Sequence, residues 1–216
     1  MTYKAVLFDL DGTLLDTIDD LADSTNTVLA RRGFPTHDVE AYKYFVGDGA
    51  ENQVRRALPE AHRDDQTVAQ AVAEMRAEYA KHWADKTRPY DGVSEMLKGM
   101  TGRAVRTAVL SNKPDDFTKL CVARLLPDWE FDVVRGARPS VPLKPDPTPA
   151  VEIANELDVA PAEFVYLGDT NTDMKTACAA GMFPVGALWG FRTAEELLEN
   201  GAQALIGHPS ELVGLL

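Results

Sequence analysis

The run Ala5-Val6-Leu7-Phe8, followed by Asp9-Leu10-Asp11-Gly12-Thr13-Leu14-Leu15-Asp16, decides how the rest of the chain is read. Four apolar residues of this kind suit a strand buried between helix layers. Two carboxylates then stand at its C-terminal end, the edge where open α/β sheets bind their ligands. Asp9 and Asp11 are separated by one residue, so an extended backbone would aim both side chains the same way. Two anions that close repel each other, and the usual relief is a cation or a proton held by one of them. Gly12 lets the chain leave the strand in a conformation that other residues resist. A polar turn with two chance acids is the plainer alternative.

Outward from this stretch, 216 residues with 45% hydrophobic content can bury a substantial core, as one domain or as a main domain with a smaller insert. The formal net charge of −12 argues against a nucleic-acid or anionic-membrane surface, which would call for clustered Lys and Arg. A small anionic substrate stays compatible, because a divalent ion and one or two placed cations reverse the sign locally. Cys121 and Cys178 fall at apolar positions of helical stretches and are expected as buried thiols of a reducing compartment, not as a disulfide. No apolar run approaches the roughly 20 residues that span a bilayer. The N-terminus has no signal-peptide pattern, so a cytoplasmic protein is expected.

Residues 17–86 read as helix throughout. Ile18, Leu21, Ala22, Thr25, Val28 and Leu29 keep helical spacing as far as Gly33, and a second stretch ends near Phe45. Gly47-Asp48-Gly49 breaks the chain before a short helix stopped by Pro59. Asp64 or Asp65 can cap a longer one carrying Val68, Val72, Met75 and Tyr79. From Val93 helices alternate with strands at Thr107–Leu110, Phe131–Val134, Phe164–Leu167, Val185–Leu188 and Leu205–Ile206. Such alternation predicts a mostly parallel sheet covered on both faces, made by residues 1–16 and 87–216 and interrupted after its first strand by the helical unit 17–86.

Asp9-x-Asp11-Gly12-Thr13-Leu14-x-Asp16 resembles the first motif of the haloacid dehalogenase-like hydrolases, most of which are Mg2+-dependent phosphatases. Ser111, then Lys144, then Gly168-Asp169-Thr170-Asn171-Thr172-Asp173 resemble the other three motifs in order, so the resemblance covers nearly the whole chain. It implies a Rossmann-like three-layer α/β core and a mobile helical cap inserted directly after the first motif. Ser111-Asn112-Lys113, Val141-Pro142-Leu143-Lys144-Pro145-Asp146-Pro147 and Val46-Gly47-Asp48-Gly49 look most like phosphoglycolate phosphatases. The acid at Asp11 separates the chain from the dehalogenases, which lack it. A β-phosphoglucomutase-like phosphotransferase and a pyrophosphatase remain enzyme alternatives. A phosphometabolite-binding regulatory protein is the non-enzyme alternative, since fold alone never fixes function.

Each motif contributes a tool for phosphoryl transfer. Asp9 is placed to attack phosphorus and form an aspartyl-phosphate, and Asp11 to protonate the departing alcohol and later take a proton from water. Ser111 offers a hydroxyl, and the amides after it are expected to open a helix whose N-terminus favours a phosphate. Asn112 and Thr13 are further phosphate-binding candidates. Lys144 can neutralise both nucleophile and phosphoryl group from a loop stiffened by prolines. Mg2+ prefers one or two carboxylates plus waters and substrate oxygens. Asp9 and Asp169 are therefore expected as its direct ligands, the backbone carbonyl of Asp11 as a third, and Asp173 as a ligand or as a holder of the others. His37, His62, His82 and His208 lack metal-ligand spacing. Around the Gly47 loop, Lys43, Asp48, Gly49, Asn52 and Arg55 form the group expected to select a small phosphorylated metabolite. A monomer or homodimer binding no nucleic acid or membrane completes the expectation.

Overall fold

The computed structural model describes residues 3–103 and 105–216. Met1 and Thr2, part of the N-terminus read for a leader, and Ala104 lie outside them. The chain forms two compact units, one comprising the chain up to Leu15 together with Pro89–Leu216, the other Asp16–Arg88. The first begins with β1 (Ala5–Phe8), and the two crossings between units carry the two-residue strands β2 (Leu15–Asp16) and β3 (Arg88–Pro89).

The second unit holds α1 (Ile18–Arg31), α2 (Val39–Phe45), α3 (Ala50–Ala57) and α4 (Asp65–His82). Ile18, Leu21, Ala22, Thr25, Val28 and Leu29 make the buried stripe of α1. Asp64 caps α4 by accepting from the Thr67 amide at 2.9 Å, which satisfies one of the amides a helix start leaves without a partner. Asp20 is buried on α1 and accepts from the Thr87 amide and hydroxyl at 2.8 and 2.7 Å, fastening the returning chain to this unit.

In the first unit α5 (Val93–Met100), β4 (Arg106–Pro114), α6 (Asp115–Leu125), β5 (Val133–Ala137), α7 (Thr148–Glu156), β6 (Phe164–Gly168), α8 (Asn171–Ala180), β7 (Phe183–Ala187), α9 (Ala194–Glu199) and β8 (Ala204–Ile206) follow. Among the described residues the sheet has six strands in the order β5-β4-β1-β6-β7-β8, all paired in parallel. The α/β class read from the alternation is the one observed. β1 and β6 lie at the centre and are buried along their whole length, as their uninterrupted apolar runs require. Phe8 pairs with Val109 on one side and Leu167 on the other, so the segments beginning at Asp9, Leu110 and Gly168 leave from one edge.

Three local expectations are corrected. β4 continues through Pro114, which pairs with Ala137 across an irregularity, so the amides after Ser111 belong to an extended strand. Helix α6 starts only at Asp115. β5 starts at Val133 because Asp132 is engaged just before it, its carboxylate accepting from the Thr107 amide at 2.7 Å. Cys121 is buried, but Cys178 is exposed, since on α8 the core takes its neighbour Ala177 and leaves the next position facing outward. No helix among the described residues is long and apolar enough to cross a membrane.

Candidate active site

Asp9 stands one residue beyond β1, and Lys144 reaches it from the loop before α7. The Lys144 ammonium donates to Asp9 Oδ1 at 2.7 Å, to Asp173 Oδ1 at 2.7 Å and to the Leu110 carbonyl at 3.2 Å. Its backbone is fixed as well. Asn112 Nδ2 donates to the Lys144 carbonyl at 3.0 Å while the Lys144 amide donates to Asn112 Oδ1 at 2.9 Å. Asn112 thus anchors the lysine loop to β4.

Asp169 and Asp173 flank the start of α8, at whose N-cap Thr170 and Asp173 form a reciprocal capping box. Asp173 Oδ2 accepts from the Thr170 amide at 3.0 Å and its hydroxyl at 2.6 Å, while Oδ1 accepts from Lys144 and, at 3.3 Å, from the Tyr166 hydroxyl. Asp169 accepts from the Thr13 hydroxyl at 2.7 Å and from the Phe191 amide at 2.9 Å. Space for this carboxylate comes from glycines. A Cβ at Gly190 would sit 2.2 Å from Asp169 Cβ, and one at Gly12, where φ is +89°, would sit 2.3 Å from Asp169 Oδ2.

Asp11 is held by a different cation. The Lys113 ammonium donates to its two oxygens at 2.7 and 3.0 Å. Past β1 the backbone curls, with the Leu10 carbonyl accepting from the Leu14 and Leu15 amides at 3.0 and 2.9 Å. The repulsion foreseen between the two acids is thus relieved by two lysines, one for each. Ser111 is buried and its Oγ accepts from the Lys113 amide at 3.1 Å. Thr13 meets Asp169 through its hydroxyl, as above. Gly49 belongs to the helical unit, where it precedes α3 with φ +88°. There Arg56 pairs with the Asp48 carboxylate and donates to the Phe45 carbonyl at 3.0 Å, and Asn52 donates to the Asp48 carbonyl at 2.9 Å. Arg55 bonds Glu51 and Asp65 of its own unit, both at 2.9 Å, and Lys43 pairs with Glu40.

Asp9, Asp169 and Asp173 are buried, and each offers a carboxylate oxygen within 4.8 Å of the others. Burial and then Asp173 push the Asp9 carboxyl well above its usual range, against the pull of Lys144. Burial and then Asp173 also push Asp169 up, to about 7, while the Phe191 amide, Thr13 and Arg192 oppose the rise. Lys144 is buried, which disfavours its charge, yet Asp173 and Asp9 hold the ammonium well above the ordinary lysine value. The Lys144 ammonium bonds two of these three buried carboxylates, Asp9 and Asp173, and the hard oxygen donors and surplus negative charge of the cluster suit a small divalent cation. The acidic triad could therefore bind a metal.

Lys113 and Gly190 are the residues whose importance the sequence underplayed. Lys113 lies in the noted Ser111-Asn112-Lys113 triplet, but nothing local indicates that its partner is 102 residues away. Trp189-Gly190-Phe191-Arg192 lies just after β7 in the sequence. It supplies the amide that Asp169 accepts, and the Trp189 indole donates to the Thr13 carbonyl at 3.0 Å.

A family model described as haloacid dehalogenase-like hydrolase matches residues 6–187. The phosphoglycolate phosphatase of Thiobacillus denitrificans is 32% identical over 210 residues, covering 95% of this chain and 92% of its own. The N-acetylmuramic acid 6-phosphate phosphatase of Pseudomonas aeruginosa is 31% identical over 217 residues, covering 100% of this chain and 96% of its own. Among solved structures, a candidate phosphoglycolate phosphatase from Lactobacillus delbrueckii subsp. bulgaricus superposes with a TM-score of 0.93 at 30% identity, covering 100% of this chain and 98% of that one.

Proposed function

We infer the function from one premise: the chain belongs to the haloacid dehalogenase-like hydrolase family. It is an enzyme of the phosphoric monoester hydrolase class, acting on small phosphorylated substrates. The finer reading is a Mg2+-dependent phosphatase that works through an aspartyl-phosphate on Asp9, with 2-phosphoglycolate as leading substrate. The observation that carries it is the buried Asp9 carboxylate beside the Lys144 ammonium and within a cluster of two further acids.

In this reading an Asp9 oxygen forms a bond to phosphorus as the bond to the leaving oxygen breaks, and Asp11 gives that oxygen a proton. Water then attacks the same phosphorus, passing a proton to Asp11, and the bond to Asp9 breaks to release phosphate. Lys144 orients Asp9 and offsets charge on the transferring group. Ser111 binds phosphate through its hydroxyl, whose oxygen already accepts from the Lys113 amide. Asn112 acts by fixing the Lys144 loop, and Thr13 by fixing Asp169. Mg2+ would be held by Asp9, Asp169 and the Asp11 carbonyl. Asp173, whose oxygens accept from Lys144, Tyr166 and Thr170, joins them as a ligand or holds them in place. Bound there, the ion supplies further neutralisation of phosphoryl oxygens. Residues 17–86 serve as the cap that selects the leaving group, with the Gly47–Gly49 loop, shaped by Arg56, as the selecting element.

A phosphorylated sugar acid is the second substrate reading, favoured by the full-length relative that acts on N-acetylmuramic acid 6-phosphate. The test is phosphate release in Mg2+ from a panel of 2-phosphoglycolate, N-acetylmuramic acid 6-phosphate, sugar phosphates, nucleotides, pyrophosphate and β-glucose 1-phosphate. A highest kcat/KM on 2-phosphoglycolate supports the leading reading, and one on the sugar acid supports the second. Conversion of glucose 1-phosphate to its 6-phosphate without phosphate release would replace both with a mutase.

A further inference from the structure

Asp11 and Lys113 come from opposite sides of the first crossover, yet one ammonium contacts both oxygens of the carboxylate. This is no loose surface pair. Side-chain exposure is 5% for Lys113 and 14% for Asp11, where solvent screening is weak and a two-point contact fixes the carboxylate's rotation. Lys113 is held in turn. It lies on the extension of β4, its amide donates to Ser111 Oγ, and its carbonyl accepts from the Thr118 hydroxyl at 3.1 Å. The strand's irregular extension, instead of the helix start foreseen from sequence, is what places the lysine here.

A fixed Asp11 suits the chemistry. In an in-line displacement at phosphorus the leaving oxygen departs opposite Asp9, and the water of the second displacement enters opposite Asp9 too. Both proton transfers then occur in one place. A carboxylate locked in one orientation can serve both, whereas a freely turning one loses the near-attack geometry in each. We propose that Lys113 is the positioning residue for Asp11, fixing the carboxylate for proton delivery and for proton uptake. This rests on the reading of Asp11 as acid and base given above.

The test is Lys113→Met, which keeps the stem and removes the ammonium, studied in Mg2+ with enzyme in excess so that only the first displacement is seen. Two esters are compared: the best alkyl monoester of the panel, whose alkoxide needs a proton to leave, and p-nitrophenyl phosphate, whose phenolate leaves without one. The expected result is a fall of roughly tenfold or more on the alkyl ester and a change within about threefold on the aryl ester. Lys113→Arg should restore part of the loss, and inhibition by inorganic phosphate should be unchanged. Equal slowing of both esters, a rise in KM alone, or full activity on both would overturn the proposal while leaving the phosphatase reading intact. A wild-type enzyme that releases phosphate from no monoester would overturn both.

Discussion

The Lys144 ammonium lies 2.7 Å from Asp9 Oδ1 across 135 residues of chain, and the same ammonium reaches Asp173 at 2.7 Å. One buried cation therefore ties the strand β1, the loop before α7 and the first turn of α8. Lys144→Met would leave the two carboxylates buried without it. Removing one partner from such a cluster costs about 3–5 kcal/mol. Urea unfolding of the variant should show a loss of that order together with lost turnover. A stability within about 0.5 kcal/mol of wild type would contradict the placement.

The acid cluster also sets a pH dependence. Burial, and then Asp173, raise the Asp169 carboxyl to about 7 in the folded chain, above the value of about 3.9 for an unfolded one. Between those values the folded chain keeps a proton that the unfolded chain has lost. This group's contribution therefore favours the folded state as pH falls through about 7, and is lost as pH rises past it. A cation needs the ionised carboxylate and competes with that proton. Mg2+ should raise Tm more at about pH 8 than at about pH 6, and equal gains at both would contradict the assignment of Asp169 as a ligand.

Gly190 has no room for a side chain: its Cβ would lie 2.2 Å from Asp169 Cβ and 2.5 Å from the Gly12 carbonyl. Both neighbours are held, Asp169 by Thr13 and Phe191 and Gly12 by its turn, so neither can yield cheaply. Gly190→Ala should cost about 1–3 kcal/mol of stability and most of the activity. Wild-type kcat and Tm in this variant would show that the carboxylate can move aside.

Asp20 accepts from the Lys86 amide, the Thr87 amide and the Thr87 hydroxyl. Asp20→Ala leaves buried donors at Thr87 without their acceptor, at a cost of about 1–3 kcal/mol for each group so stranded. Thermal unfolding should register it. Asp20→Asn, which keeps one oxygen acceptor, should lose less, and indistinguishable losses would count against the hydrogen-bond account.

Much of this organisation is legible in single stretches. Ala5-Val6-Leu7-Phe8 and Phe164-Val165-Tyr166-Leu167 announce central strands because burial on both faces demands unbroken apolar runs. The acids after each mark the edge where a parallel sheet opens. Partnerships across the chain are not legible in this way. Lys113 looks like any lysine at a strand end until the sheet places it against Asp11. The extension of β4 through Pro114 is hidden because proline ordinarily argues against a strand, whereas here Pro114 pairs with Ala137 across an irregularity. Cys178 looks like a core position because its neighbours on α8 are small and apolar, yet a single step around a helix turns a side chain from core to solvent.

The most direct measurement is to quench the working enzyme in acid and locate phosphate on its peptides by mass spectrometry, with Asp9→Asn as control. The account predicts phosphate on the peptide containing Asp9 in the wild type. It predicts none in Asp9→Asn, which should keep its fold and lose steady phosphate release. Sustained turnover by folded Asp9→Asn, or phosphate found on another residue during turnover, would contradict the assignment of Asp9 as nucleophile.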